Sequence, residues 1–180
     1  MGKIVFLKGN RIHLRGLMEQ DLNDNYLQWL NDEEVCQHNS HATFPNTEQK
    51  MKNFFNGLAS NPNQVVLAIV HTETNKHIGN VSLQGINWVS RNAEFAILLG
   101  DKEFWKGGYG TEAAQLIVEY GFNRLNLHRI HCGTLEGNEG MKKLAEKLKM
   151  TQEGVRRDAI YKNGSFFDII EYGVLRHEYA

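Results

Sequence analysis

Cysteine is nearly absent from this chain: Cys36 and Cys132 are the only two in 180 residues. Two cysteines make no disulfide framework, and free thiols fit a reducing compartment. Proline is as rare, at Pro45 and Pro62, and no linker, repeat or low-complexity segment divides the sequence. No apolar run approaches the roughly 20 residues of a membrane span. The first segment does not read as a secretory leader either, because its apolar stretch is only residues 4–7 before Arg11 and Arg15. An excess of one charge is also missing. The 20 basic side chains face 21 acidic ones, for a formal net charge of -1, whereas sustained binding to a phosphate backbone ordinarily shows a basic excess. These absences predict a cytoplasmic protein with no nucleic-acid and no membrane partner. At 180 residues and 41% apolar, residues 1–180 are expected to form one domain with a substantial core.

What is present reads as alternating elements. Residues 11–15 place Ile12 and Leu14 on one face and His13 on the other, the period of a strand. Asp21 is expected to cap a helix carrying Leu22, Tyr26, Trp29 and Leu30 at helical spacing. A second helix is expected from Asn46, with Gln49 three residues on, burying Met51, Phe54, Phe55 and Leu58. Strands follow at 65–70, 78–83 and 93–99, then a helix over 111–125 with Ala113, Leu116, Ile117 and Tyr120 inward. Ile130, Cys132 and Thr134 share a strand face; Met141, Leu144, Ala145 and Leu148 share a helix stripe. Finally Asn163-Gly164 separates the apolar runs 159–162 and 165–170, a strong hairpin signal because a type I′ turn needs two residues at positive φ. A two-residue turn sets Lys162 opposite Ser165, Tyr161 opposite Phe166, Ile160 opposite Phe167 and Ala159 opposite Asp168. Both hairpin faces are then apolar near the turn, one for the core and the other for a helix or a second copy of the chain in a homodimer. The order β-α-α-β-β-β-α-β-α-β-β predicts an α/β protein with a mixed sheet and helices on both faces.

The segment with chemistry in it is residues 93–113, AEFAILLGDKEFWKGGYGTEA. An apolar strand ends at Gly100, and Gly107, Gly108 and Gly110 precede a helix. Glycines let backbone N–H groups approach an anion closely, and the helix start adds partial positive charge. A P-loop is excluded, because Gly110 is followed by Thr111 with no lysine between. Gly108 and Gly110 with Ala113 match a loose dinucleotide fingerprint, but that fingerprint sits directly at its strand end. Here residues 101–107 intervene.

With these residues the chain resembles the GNAT superfamily of N-acetyltransferases, in its RimJ/RimL-like branch. The likeness covers nearly the whole chain. It rests on the 11–14 opening, Trp29-Leu30-Asn31-Asp32, residues 105–113, residues 125–130, Asn138, Glu146-Lys147-Leu148 and the ending 168–178. Gly108 and Gly110 match the small positions of the family's pyrophosphate loop, with Trp105 where glutamine or arginine is frequent and Lys106-Gly107 inverting the commoner order. The resemblance implies acetyl-CoA as cofactor. The backbone of Trp105, Lys106, Gly107, Gly108, Tyr109, Gly110 and Thr111 would then hold its pyrophosphate. It implies further that the preceding strand splays from the next, so that Ile97, Leu98 and Leu99 offer free backbone to the pantetheine arm. Asn138 matches the asparagine that bonds the pantetheine, a role compatible with a plain helix cap before Met141. Lys143 is a candidate for the cofactor's 3′-phosphate, beside the bland reading of a solvated helix face.

An amine attacking a thioester must first lose its proton. At neutral pH this costs about 4–5 kcal/mol for a lysine-like amine and roughly 1–1.5 kcal/mol for an α-amino group. The resemblance places a carboxylate base at Glu94; the plain alternative is a cross-strand ion pair. The tyrosine that many relatives carry seven residues after the asparagine is Ala145 here. Tyr161 or Tyr172 would have to supply the acid, unless the thiolate leaves unaided. Trp29, His38 and Trp88 are candidate walls of the acceptor pocket. Cys36, His38 and His41 match no standard metal spacing, and no metal is expected. The acceptor is expected to be a primary amine of a small molecule such as an amino sugar, or a protein N-terminus. A polyamine, for which Asp21, Asp24, Asp32, Glu33 and Glu34 offer carboxylates, is an alternative, as is a non-catalytic acyl-CoA-binding module.

Overall fold

The structure is a computed structural model that describes residues 4–22 and 24–179; the side chain of Asp24 also lies outside the described residues. A single sheet of eight strands runs in the order β1-β2-β3-β4-β5-β6-β8-β7. In chain order the elements are β1 (Leu7–Lys8), β2 (Ile12–Gly16), α1 (Asp24–Asn31), α2 (Glu48–Leu58), β3 (Val65–His71), β4 (His77–Asn87) and β5 (Asn92–Leu99). Then come α3 (Tyr109–Asn123), β6 (Arg129–Leu135), α4 (Glu139–Lys147), β7 (Thr151–Lys162), β8 (Ser165–Leu175) and a terminal turn α5 (Arg176–Tyr179). The mixed α/β class read from periodicity is the one observed, with β1 added before the first expected strand.

Strand alternation decides the faces. Leu14, Leu67, Ile69, Val81, Leu83, Ala93 and Phe95 pack with Ala113, Ala114, Ile117 and Val118 of α3 into the main core. A smaller cluster of Tyr26, Trp29 and Met51 joins α1 and α2. Near it the sheet carries buried polar groups instead. Arg15 bonds Asp21 through both guanidinium nitrogens, at 2.6 and 2.8 Å, and His77 stands 3.9 Å from the same carboxylate.

Four local expectations are corrected. Asp21 caps no helix: it lies in a 3-10 turn, and its carboxylate accepts the Met18 N–H and the Arg15 guanidinium. The cap of α2 is Thr47, whose hydroxyl accepts from Lys50 N. Asn46 is drawn away to donate to the carbonyls of Leu30 and His41, bonds that only the folded loop brings within reach. Phe54 is 41% exposed, because the α1–α2 layer covers only the Met51 side of α2. In the terminal hairpin, Lys162↔Ser165, Tyr161↔Phe166 and Ile160↔Phe167 pair as expected, but the register shifts between Arg156 and Ile160. Asp158 enters the left-handed region at φ 50°, and its N–H is taken by the Asp168 carboxylate. This bulge ends the regular pairing before Ala159 and Asp168 can form the next rung. Tyr161 and Phe166 are 64% and 60% exposed, so that face of the hairpin lies open.

Candidate active site

The site begins where the sheet divides. β5 and β6 are parallel neighbours over only three pairs, Asn92↔Arg129, Ala93↔Ile130 and Glu94↔His131. Beyond Glu94 the strands separate, while β6 stays bonded to β8 along its length and β5 to β4. Backbone groups alternate along a strand. The Leu98 carbonyl is directed at Gly79 on β4, and Gly100 N donates to Ile78 O. The intervening Ile97 and Leu99 therefore turn their backbone groups toward the gap. Leu98 is corrected by the same alternation, since its backbone is spent on β4. The Leu99 carbonyl already accepts Trp105 Nε1 at 2.7 Å, which fastens the following loop to the strand end.

That loop is shaped for an anion. Lys106 and Gly108 both lie at positive φ, 62° and 81°, and α3 starts at Tyr109 directly after Gly108. Left-handed residues just before a helix turn successive N–H groups into one concavity. A non-glycine residue there costs about 1–3 kcal/mol and persists only where its surroundings hold it. The holding groups are visible. Tyr109 meets His71 and Phe104 edge to face, with ring centroids 5.5 and 5.4 Å away. The Arg11 guanidinium donates to the Gly107 carbonyl at 2.7 Å and to Glu112 at 3.2 Å, and lies over the Tyr109 ring. Glu112 in turn accepts the backbone N–H groups of Asn10 and Arg11. Burial pushes its carboxyl up, but these N–H groups and the guanidinium outweigh burial and hold it below the usual range. A Cβ at Gly108 would stand 3.3 Å from Arg11 Nη2, in space that glycine leaves clear. A phosphate-bearing ligand would suit this loop: two left-handed residues lead into the start of α3, and a guanidinium borders it. Arg11 was missed in the sequence as a loop residue, because nothing local links it to a glycine cluster almost a hundred residues away. Gly110 and Thr111 form the first turn of α3.

Glu94 is exposed between the buried Ala93 and Phe95, on the opposite face from the α3 core and at the apex of the gap. Tyr172 on β8 is opposite Cys132 of β6, 8% exposed, in the core cluster that includes Ala145 of α4 and Leu148 just after it. Its hydroxyl is a lesser contributor to the raised pKa of Lys142 on α4, after the bond that lysine donates to Glu139. Among the described residues no hydrogen bond of that hydroxyl is recorded. Tyr161 is elsewhere, at the hairpin tip against Phe166 with ring centroids 5.0 Å apart. Asn138 caps α4: its Oδ1 accepts Met141 N at 3.1 Å and its Nδ2 donates to Thr134 at 2.9 Å. Lys143 is exposed on α4.

The three pocket candidates are scattered. Trp29 is 8% exposed, and its ring lies so close over Gly100 that a Cβ there would overlap it. Trp88, on the β4–β5 turn, bonds Asn63 at the end of β5 away from the glycine loop. His38 lies half-buried in the α1–α2 loop, where burial first and the Lys162 charge second hold its imidazole below the ordinary value. Neighbouring Cys36 is fully buried and donates to the Trp29 carbonyl. Asp32 and Glu34 are both occupied by Lys102, at 2.9 and 2.6 Å.

Comparison with known proteins agrees with this geometry. Residues 11–151 match the acetyltransferase (GNAT) domain family. An N-acetyltransferase termed p20 from Bacillus licheniformis is 30% identical over 172 residues, covering 94% of this chain and 96% of that protein. The spermidine N(1)-acetyltransferase of Escherichia coli strain K12 is 34% identical over 101 residues, 56% of this chain and 54% of that one. The crystal structure of spermidine N-acetyltransferase from Vibrio cholerae in complex with CoA and spermine superposes with a TM-score of 0.86 at 22% identity, covering 94% of this chain and 98% of that one. A split sheet, a glycine loop leading into α3 and a family match over most of the sequence converge: the chain belongs to the GNAT acetyltransferase family and is an acetyl-CoA-dependent N-acetyltransferase.

Proposed function

We propose that this enzyme, a RimJ/RimL-like cytoplasmic member of the family, acetylates a primary amine of a small molecule or a protein N-terminus in the gap between β5 and β6. The observation that carries this reading is the position of the gap. It opens beside the glycine loop and narrows to Glu94 and His131. When bound, acetyl-CoA supplies the acetyl group as a thioester. The N–H groups of loop 105–111 hold its pyrophosphate, with Arg11 at their edge, and Ile97 and Leu99 bond its pantetheine arm as an added strand would. A strand N–H at the apex stabilises the developing oxyanion. Glu94 accepts the proton of the attacking amine, directly or through water. Tyr172 is favoured over Tyr161 as acid, because it lies in the same core cluster as Ala145 and its hydroxyl has no hydrogen-bond partner among the described residues. Alanine at 145 leaves the family's usual tyrosine position empty, and in this reading Tyr172 supplies the hydroxyl from β8, where it pairs with Cys132.

A polyamine acceptor is the second reading, favoured by the spermidine acetyltransferases among the relatives. Against it, Asp21 is committed to Arg15, and Asp32 and Glu34 are committed to Lys102. The test is a mass-spectrometric search for acetylated products after adding enzyme and acetyl-CoA to a metabolite extract, with calorimetry of CoA and NAD beside it. Acetylated small amines and binding of CoA alone are expected. NAD binding more tightly than CoA, or no acetylated amine, would refute the reading.

A further inference from the structure

The hairpin tip reaches across the gap. β7 and β8 belong to the arm that carries β6, whereas the α1–α2 loop belongs to the arm that carries β5. Lys162, the last residue of β7, spans the two: its ammonium donates to the carbonyls of Cys36 and Asn39, the latter at 2.6 Å. The loop end of this contact is anchored by the fully buried Cys36 and, from the other side, by Lys102 on Asp32 and Glu34. An acceptor approaching Glu94 between the arms therefore meets a bar with an ammonium in it.

We propose that Lys162 is a specificity residue, whose ammonium selects acceptor amines that carry an anionic group. This rests on the placement of the acceptor between the two arms. Charge balance argues for it. Three cations near the gap have acidic partners: Lys102 has Asp32 and Glu34, Arg129 has Glu153, and Arg156 has Glu171. Among the described residues Lys162 has carbonyl partners and no carboxylate within ion-pair distance. Carbonyl oxygens satisfy two of its three donors and leave its charge uncancelled. That charge is felt locally, since after burial it is the second cause that lowers the His38 pKa. The acids of the hairpin arm point elsewhere: Asp168 accepts Asp158 N, and Glu136 accepts Asp168 N. The third ammonium donor and the unbalanced charge suit a carboxylate or phosphate on the acceptor, and repel a second ammonium.

A matched panel tests this: butylamine, 4-aminobutanoate and putrescine, then glucosamine and glucosamine 6-phosphate. Acetyl-CoA consumption gives kcat and KM for the full chain and for Lys162→Gln and Lys162→Arg, each checked for CoA binding. Wild type is expected to favour the anionic member of a set by about tenfold in kcat/KM, through KM. The carboxylate and phosphate sets reveal which anion is read. Lys162→Gln loses the preference and Lys162→Arg retains it. A preference for butylamine, putrescine or glucosamine, or an anion preference that survives Lys162→Gln, overturns the proposal while leaving the acetyltransferase reading intact. No acetylation of any member, with CoA binding intact, overturns both the proposal and the small-molecule reading.

Discussion

Glu94 owes its exposure to strand alternation, which buries Ala93 and Phe95 on either side of it. This much follows from the sequence AEFAILL alone. What the sequence leaves open is whether the carboxylate is an ion-pair partner or a base, and the described contacts of Glu94 include no ion pair. As the base, it matters when the acceptor arrives protonated. Glu94→Gln should lower turnover at neutral pH by on the order of 10²-fold and much less at high pH, where the amine loses its proton unaided. A parallel drop at all pH values, read from acetyl-CoA consumption, would leave Glu94 a structural role. Tyr172 was indistinguishable from Tyr161 in the sequence, because both lie on apolar strands near the end of the chain. Packing separates them: one is 8% exposed and the other 64%. Tyr172→Phe should reduce kcat by about 10²-fold while CoA affinity stays close to wild type. A kcat within a few-fold of wild type would mean that the thiolate leaves without an acid.

At the scale of the element, the loop before α3 depends on backbone signs that few residues adopt. Gly108 at φ 81° is the residue before the helix, and a side chain there would meet Arg11 as well as its own strain. Gly108→Val should cost about 1–2 kcal/mol in the left-handed region and weaken CoA binding by about tenfold or more. Calorimetry checks this, and unchanged affinity would move the pyrophosphate elsewhere. The glycine cluster was legible as an anion cradle, since glycine and a helix start are local signals. Lys106 in a left-handed conformation was not legible, because the loop around it is fastened by groups distant in sequence or fold, Arg11 on the Gly107 carbonyl and Trp105 on the Leu99 carbonyl. The hairpin shows the same division. Asn163-Gly164 fixes the first three pairs. The bulge beyond them depends on the Asp168 carboxylate reaching Asp158 N.

Across the whole molecule, the proposed function depends on an interruption: β5 and β6 part after Glu94. Among the described residues the amides of Ile97 and Leu99 then have no strand partner on the gap side, and under the proposed function pantetheine would supply one. Hydrogen exchange at these two amides should slow by about tenfold or more on adding CoA and remain unchanged with NAD. Equal protection without ligand would mean that the gap is closed. By itself the sequence determined the mixed α/β class, the strands and helices that alternation and helical spacing can encode, the glycine cradle and the family. These are short-range patterns, repeated every two or three to four residues or confined to one loop. Only the tertiary structure decided that Arg11 borders the loop, that Asp32 and Glu34 are spent on Lys102, that Trp29 packs on Gly100, and that Lys162 bars the gap. Each of these joins residues tens to more than a hundred positions apart, and no local periodicity records which distant partner a charge or a ring will find.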